Sequence, residues 1–180
     1  MIDDKLLVAQ LKNSDTQEQA FRNLMSLYKK RLYWHIRKIV LSHDDADDVL
    51  QNTFIKIFKN IHSFKQNSKL YSWMYRIATN EAITFINKKA AKQQVDISDL
   101  QHKMAEDLHN DMYYSGDEIQ HLLQKAIVTL PQKQQLVFNM KYFDEMKYSD
   151  ISEILNTSVG ALKASYFHAV KKIEVYLKSH

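Results

Sequence analysis

Apolar residues recur every three or four positions along most of this chain, which is the spacing of amphipathic α-helices. Stripes of this kind predict helices over residues 5–29, 30–41 and 72–89. The strongest stripe follows a break at Ser42, and its apolar positions are Ala46, Leu50, Phe54, Ile57, Phe58 and Ile61. The first part of the chain is therefore predicted to form a bundle of helices.

The helical spacing of apolar residues weakens in two segments of the chain. Residues 62–70 are polar and predict a loop, and residues 90–117 keep only a faint stripe, formed by Leu100, Met104 and Leu108, so part of this stretch is expected to be helical. Strong helical spacing returns near Glu118. We therefore predict an all-α fold of two small helical domains joined by a flexible linker, divided into residues 1–90, 91–117 and 118–180.

Residues 148–163 have the pattern of two short helices joined by a tight turn. Asn156 falls at the turn, where the backbone must be left-handed and where Asn is tolerated better than most residues. Each helix has one apolar face, formed by Tyr148, Ile151 and Leu155 in the first and by Val159, Leu162, Ala169 and Ile173 in the second. This pattern indicates a helix-turn-helix, whose second helix can enter a DNA major groove.

The composition favours long helices, since the 180 residues include only two Gly and one Pro. The absence of Cys excludes disulfides and thiolate metal sites and fits a reducing cytoplasm. We expect no membrane insertion, because no apolar run approaches the roughly 18 residues that a spanning helix needs. The first residues are acidic and lack the apolar core of a signal peptide.

Charge is unevenly distributed along the chain. Residues 1–90 carry 15 basic and 9 acidic residues, and residues 118–180 carry 8 and 6, whereas residues 91–117 carry 2 and 6. Two basic blocks that flank an acidic connector suit a protein that binds a polyanion, although an ordinary solvated surface would explain the second block equally well.

Catalytic signatures are missing from the sequence. No HExxH, Gly-rich phosphate loop or nucleophile elbow occurs, so we expect neither an enzyme nor a cofactor. The aspartates at positions 44, 45, 47 and 48 suit the positive end of a helix dipole better than a Mg²⁺ site. His102 and His109, seven residues apart, are a weak metal signal, and no metal site is predicted.

Two segments favour nucleic-acid binding. Cations and aromatic rings alternate at Lys69, Tyr71, Trp73, Tyr75 and Arg76, a mixture that binds single strands through phosphates and unpaired bases. Burial in the core is an equally good explanation for Trp73. In the last helix, one face opposite the apolar stripe carries Gly160, Lys163, Ala164, Phe167 and Lys171. Small residues there allow close approach to DNA, and Lys163 can reach a phosphate or a guanine edge.

Four strings in order resemble one family, the extracytoplasmic-function (ECF) sigma factors of bacterial RNA polymerase. Residues 45–54 (DADDVLQNTF) resemble the family's polymerase-binding helix, and residues 73–80 (WMYRIATN) resemble its promoter-melting helix. Residues 130–138 (LPQKQQLVF) are similar to the start of its C-terminal domain. Residues 159–163 (VGALK) are similar to the start of its minus-thirty-five recognition helix. The resemblance covers roughly residues 18–90 and 120–178.

The resemblance implies that the first domain docks on the clamp helices of the largest polymerase subunit through Asp45, Asp48, Gln51 and Asn52. It implies that the loop at residues 64–71 captures a base flipped from the minus-ten element. The implied minus-ten residues are Ser68, Lys69, Tyr71, Trp73, Arg76 and Asn80. The implied minus-thirty-five residues are Gly160, Lys163, Ala164, Phe167, His168 and Lys171. Further implied partners are the flap of the second-largest subunit, duplex and melted promoter DNA, and an anti-sigma factor that clamps the two domains.

The recognition helix departs from the family pattern. Arg is frequent where this chain has Ser165 and His168, and Thr and Ser are frequent at Ala161 and Ala164. These differences remove donors to phosphates and bases, so we expect an altered DNA preference or weak binding by the second domain alone. Outside this helix, Lys147 stands where the family often has a capping Ser or Thr. Tyr71 likewise replaces a frequent Arg.

Two other functions remain compatible with the residues. A free-standing helix-turn-helix regulator would bind a palindromic operator as a dimer, but it leaves the string at residues 45–54 unexplained. A helical partner-binding protein that has lost DNA recognition would account for the missing arginines. Steep loss of DNA affinity with rising salt would separate a DNA-binding protein from the latter.

Overall fold

The computed structural model describes residues 4–111 and 117–180, in which the chain forms nine α-helices and no β-strand. This agrees with the predicted all-α, two-domain fold. Residues 1–3, and residues 112–116 of the predicted linker, lie outside the described part. The helices are α1 (Asp4–Lys12), α2 (Gln17–Val40), α3 (His43–Asn60), α4 (Leu70–Gln93), α5 (Ile97–Asp107), α6 (Glu118–Val128), α7 (Gln132–Phe138), α8 (Tyr148–Leu155) and α9 (Val159–Ser179).

The first domain is a bundle in which α2, α3 and α4 pack against one another, and α1 packs on α2. Its core contains Leu32 and Ile36 of α2, Ile57 of α3 and Met74 of α4, all without exposed surface. The predicted stripe of α3 is confirmed except at Phe58, which is 41% exposed. The Phe58 ring packs edge-on against that of Phe21 of α2, with a centroid distance of 5.1 Å, and the rest of the ring stays exposed.

Two residues define the sharp boundary between α2 and α3. Leu41 ends α2 with a left-handed backbone (φ 60°), and its amide donates to the carbonyl oxygen of Arg37. Ser42 then begins α3, since its hydroxyl accepts a hydrogen bond from the Asp45 amide at 3.4 Å. Asp44 and Asp45 follow in the first turn, where their charge opposes the helix dipole.

We expect Ser42→Ala to lower the free energy of unfolding by about 1 kcal/mol, because the amide of Asp45 loses its capping acceptor. Ser26→Ala is the matched control, since Ser26 lies exposed inside α2 and caps nothing; it should be neutral or slightly stabilising. Urea unfolding followed by helical circular dichroism measures both. Equal effects of the two substitutions would contradict a capping role.

The linker carries α5 where the faint apolar stripe indicated a helix. Leu100, Met104 and Leu108 are buried, and α5 packs against α4 and α6. Beyond it, Asp111 forms an ion pair with Arg37, whose side chain is fully buried in α2. The described part of the linker is therefore held against both domains.

The second domain has its own small core, to which Ala126, Ile127, Phe138, Ala169 and Ile173 belong. These residues come from α6, α7 and α9, and a π-helical turn (Asn139–Phe143) continues α7. The helix-turn-helix consists of α8 and α9.

The turn between α8 and α9 forms as predicted. Asn156 is left-handed (φ 49°, ψ 50°), and the Ser158 hydroxyl caps α9 by accepting from the Ala161 amide at 3.3 Å. The inner face differs slightly from the sequence pattern, because Ile154 is buried while Val159 is 37% exposed.

The two domains pack directly on each other, with α8 against α4 and the π-helical turn against α2. The main apolar cluster is continuous across this boundary, since Ile151, Ile154 and Leu162 of the second domain join Met74 and the rest of the first-domain core. The helix-turn-helix therefore lies over the N-terminal half of α4.

Candidate polymerase and promoter-binding surfaces

The predicted polymerase-binding residues lie on one side of α3. Asp48, Gln51 and Asn52 are exposed, as helical spacing from the buried Ala46 and Leu50 requires. Asp45 differs from them because its carboxylate forms an ion pair with Lys89 of α4 and its side chain is only 17% exposed. Three of the four side chains are therefore available to a partner, and Asp45 ties α3 to α4.

An apolar groove of 480 Å³ between α2 and α3 adjoins this polar face. Ile55 and Phe58 contribute exposed apolar surface to it, and Lys29 and Lys59 stand among the residues that line it. The sequence missed this groove, because the apolar stripe of α3 is wider than the face its neighbours cover, and the pattern alone assigned Phe58 to the core.

The predicted minus-ten residues follow the loop before α4 and the first half of that helix. Ser68 is partly buried, Lys69 stands at the helix N-cap, and Arg76 and Asn80 are exposed on α4. Trp73 is half-buried, with its ring centroid 5.0 Å from that of Phe64 in the loop. Trp73 therefore packs on the loop and still presents part of its ring at the surface.

Tyr71 and Tyr75 belong to the interior more than to an open binding face. Their ring centroids are 4.6 Å apart, and the guanidinium of Arg31 lies 5.3 Å from the Tyr71 ring. Burial raises the pKa of both phenols well above the usual value, so both stay neutral.

Two cations of this surface contact the second domain. The ammonium of Lys69 lies 2.6 Å from the Asp150 carboxylate of α8, and this hydrogen bond is the main cause of a raised pKa at Lys69. The guanidinium of Arg76 donates to the backbone carbonyl of Glu153, also in α8. In this arrangement, the helix-turn-helix covers part of the surface that the sequence assigned to melted DNA.

The outer face of α9 is open to solvent. Gly160, Lys163, Ala164 and His168 are exposed, and a Cβ added at Gly160 would meet no atom within 4 Å. Phe167 is 57% exposed, and the ammonium of Lys171 lies 5.7 Å from its ring centroid. The structure therefore brings together all six predicted minus-thirty-five residues on one accessible stretch of helix.

Histidine and carboxylate side chains do not gather into a metal site within residues 4–111 and 117–180. His102 bonds the carbonyl oxygen of Ser98, whereas the His109 ring lies 5.5 Å from that of His121. In the same residues, no helix is both long enough and apolar enough to cross a membrane.

One polar group at the domain boundary had no signal in the sequence. His35 of α2 is 1% exposed and is 2.9 Å from Asp144 in the second domain, which also accepts from Lys38 at 2.6 Å. Burial by itself would raise the pKa of Asp144, but the hydrogen bond and charge of His35, with those of Lys38, lower it overall. Since positions 35 and 144 are 109 residues apart, no local pattern links them.

Comparison with known proteins defines the class of this chain. The family model for sigma-70 region 2 matches residues 24–92, which span most of α2 to α4, and the model for sigma-70 region 4 matches residues 120–173. The chain is 31% identical over 167 residues to the ECF RNA polymerase sigma factor SigW of Bacillus subtilis, covering 88% of each. It is 27% identical over 181 residues to the ECF RNA polymerase sigma-E factor of Haemophilus influenzae, covering 95% of this chain and 93% of the relative. The chain belongs to the ECF RNA polymerase sigma factors.

Two solved structures share the fold. CnrH, solved in complex with the cytosolic domain of CnrY, superposes with a TM-score of 0.70 at 18% identity, covering 98% of this chain and 97% of that one. The sigma factor RpoE, solved with the anti-sigma factor NepR from Bartonella quintana, gives a TM-score of 0.67 at 21% identity, covering 88% and 96%. At these identities the likeness concerns the fold.

Proposed function

We propose that this ECF sigma factor directs core RNA polymerase to promoters through three surfaces of the described chain. The observation that carries the proposal is the order of the two matched regions: sigma-70 region 2 over residues 24–92, then sigma-70 region 4 over residues 120–173, which includes most of the helix-turn-helix. The proposed boundaries of these parts are residues 1–90, 91–117 and 118–180.

The first surface is the polar face of α3, which binds the clamp helices of the largest polymerase subunit. Asp48, Gln51 and Asn52 make the contacts, supported by their exposure, and Asp45 orients the helix through Lys89. The second domain contacts the flap of the second-largest subunit.

The second surface contacts the minus-ten element. Arg76 and Lys69 bind backbone phosphates of the melted strand, and Trp73 offers a partly exposed ring for stacking on a base. Ser68 is a partly exposed and Asn80 an exposed hydrogen-bonding group beside them, and the half-buried Tyr71 completes this surface.

The third surface is the outer face of α9, which binds duplex DNA at the minus-thirty-five element. Gly160 and Ala164 permit close approach of the helix, and Lys163 supplies a cation near the helix N-terminus. Phe167, His168 and Lys171 continue the face toward the flanking backbone.

We expect Lys163→Glu to weaken holoenzyme binding to duplex minus-thirty-five DNA about tenfold or more, because a phosphate or base contact worth about 1–3 kcal/mol is replaced by repulsion. The slope of log affinity against log salt concentration should become shallower by about one, because binding releases about one counterion fewer. Lys178→Glu is the matched control, since that exposed lysine lies about 22 Å further along α9. Fluorescence anisotropy over a salt series measures both variants, and equal losses would remove Lys163 from the interface.

The factor itself is not an enzyme and needs no cofactor, because the polymerase supplies the chemistry. It acts in the cytoplasm, where its polymerase works. An anti-sigma protein is its regulatory partner, supported by the fold shared with the sigma factor RpoE, which was solved with the anti-sigma factor NepR.

In vitro transcription tests the proposal directly. Full-length protein added to core polymerase should start transcripts at discrete sites on genomic DNA, and core polymerase alone should not. Absence of core binding in a pull-down, together with tight binding of the free protein to a palindromic duplex, would instead favour a free-standing helix-turn-helix regulator.

A further inference from the structure

The loop before α4 is fixed to the first domain at one residue in its middle, Phe64. The Phe64 side chain is only 4% exposed, whereas residues 65–67 are exposed and Ser68 is partly buried. The Phe64 ring centroid lies 5.0 Å from that of Trp73, the residue proposed to stack on a base. The position of Phe64 therefore constrains both the exposed part of the loop and the ring of Trp73.

Helix α1 reaches this anchor from a distant part of the sequence. The ammonium of Lys12 donates to the backbone carbonyl of Phe64 at 2.6 Å, although the two residues are 52 positions apart. Helix α1 also packs on the one-turn 3₁₀ helix that begins the loop (Ile61–Ser63). Because α1 precedes residues 24–92, which match sigma-70 region 2, this contact comes from outside the matched region.

A simpler explanation for Lys12 is its place in the last turn of α1, where a cation complements the negative end of the helix dipole. That interaction is available to an ammonium that points into water. The Lys12 side chain is instead partly buried, and its ammonium is bonded to the backbone of a buried residue. Hydrogen bonds from a charged donor are roughly twice as strong as neutral ones, so this bond is an effective tether for the loop.

The loop needs contacts of this kind to keep one shape. Residues 64–69 form neither helix nor strand, and Gln66 has a left-handed backbone with φ 58°. Residues other than Gly adopt that conformation reluctantly, and it persists where surrounding contacts impose it. The bond from Lys12 is one such contact, two residues before Gln66.

A cleft of 360 Å³ lies between α1 and the loop. It is bordered by Ser68 and Lys69, two of the proposed minus-ten residues. Asp4, Lys5 and Val8 of α1 form the opposite side, and Glu153 of α8 also lines it. A shift of the loop relative to α1 would therefore change the shape of the cleft at the place where the loop is proposed to hold a base.

We propose that Lys12 is a positioning residue for minus-ten recognition. Through the Phe64 carbonyl it fixes the loop at residues 64–69 and the ring of Trp73, and so sharpens discrimination of the unpaired base of the melted strand. The effect on DNA rests on the proposed function of the loop, whereas the tether itself does not. Phosphate contacts by Lys69 and Arg76 do not depend on the loop backbone at Phe64, so the general affinity for single strands is independent of Lys12.

Hydrogen–deuterium exchange of the free, full-length protein tests the tether. Lys12→Met keeps a long side chain of good helix propensity but removes the donor, so amides of residues 61–70 should exchange up to about tenfold faster. Lys12→Arg retains a charged donor and should exchange nearly as the wild type does. Lys88→Met is the matched control, since that exposed lysine lies about 27 Å along α4 from Leu70. Unchanged exchange in Lys12→Met would overturn the proposal.

Binding of single-stranded oligonucleotides to the holoenzyme tests the effect on recognition. The probes carry the non-template minus-ten sequence of a promoter located by start-site mapping, with each base in turn replaced by an abasic site. For the wild type, one replacement should remove a stacking contact and weaken binding about tenfold. Lys12→Met should reduce that loss to about twofold or less without changing the salt dependence of binding, because the phosphate contacts remain. Lys12→Arg should restore the wild-type pattern.

The two measurements separate the possible failures. An abasic profile of Lys12→Met that equals the wild type, despite faster exchange of the loop, would reduce Lys12 to a structural residue and overturn its role in recognition. The same altered profile in Lys88→Met would assign the effect to net charge and overturn it as well. A wild-type holoenzyme that is indifferent to every abasic replacement would contradict the proposed function of the loop, and the exchange result for Lys12 would stand apart from that failure.

Discussion

Asp48→Lys should reduce the affinity of the protein for core RNA polymerase at least about tenfold, equivalent to about 1.4 kcal/mol. Asp48 is exposed on α3 beside Gln51 and Asn52, the face proposed to meet the clamp helices. Charge reversal there places a cation where the interface is complementary to an anion, and like-charge contacts across an interface cost several kcal/mol. The fold should be unaffected, because an exposed helical Lys is well tolerated.

Glu18→Lys is the matched control for this substitution. Glu18 is 81% exposed on α2, outside the proposed contact, and its pair with Arg22 is worth only a few tenths of a kcal/mol. Binding of fluorescently labelled protein to core polymerase, measured by anisotropy at two salt concentrations, compares the variants. Equal affinities for Asp48→Lys and the wild type would exclude Asp48 from the interface.

Leu32→Ala should lower the free energy of unfolding of the first domain by about 2–5 kcal/mol. Leu32 has no exposed surface and packs in the centre of the bundle formed by α2, α3 and α4, so truncation leaves a cavity there. Since typical domains are stable by only about 5–15 kcal/mol, such a loss should also reduce the amount of polymerase-competent protein.

Leu27→Ala makes the same chemical change on the same helix at a position that is 45% exposed, and its effect should stay within about 0.5 kcal/mol. The fluorescence of Trp34 and Trp73, the two tryptophans of the chain, follows unfolding of the first domain in urea. Similar midpoints for the two variants would contradict the packing assigned to Leu32.

Much of the fold was accessible from local patterns. The spacing of apolar residues predicted the helices, and Ser42 and Asn156 mark a helix start and a left-handed turn that the structure contains. Patterns failed where neighbouring helices decide burial. Phe58 belongs to the apolar stripe of α3 but is exposed. The sequence pattern placed Tyr75 in a nucleic-acid-binding segment of cations and aromatic rings, but Tyr75 is 2% exposed in the core.

The candidate surfaces could be predicted from the sequence only in part. The resemblance located exposed positions on α3 and α9, since residues that bind a partner must lie off the apolar stripe. It did not indicate that α8 covers Lys69 and Arg76, or that Asp45 is occupied by Lys89. Those contacts join segments 44 to 81 residues apart, beyond the reach of helical periodicity.

By itself, the sequence determined the helical class, the order of the two regions and their membership of the sigma factors, because these depend on local spacing and on strings of residues. Only the tertiary structure decided how the two domains lie together and that His35 meets Asp144 between them. The physical reason is that docking depends on surfaces assembled from distant segments, and the partners of a buried polar side chain depend on which groups those segments bring to it.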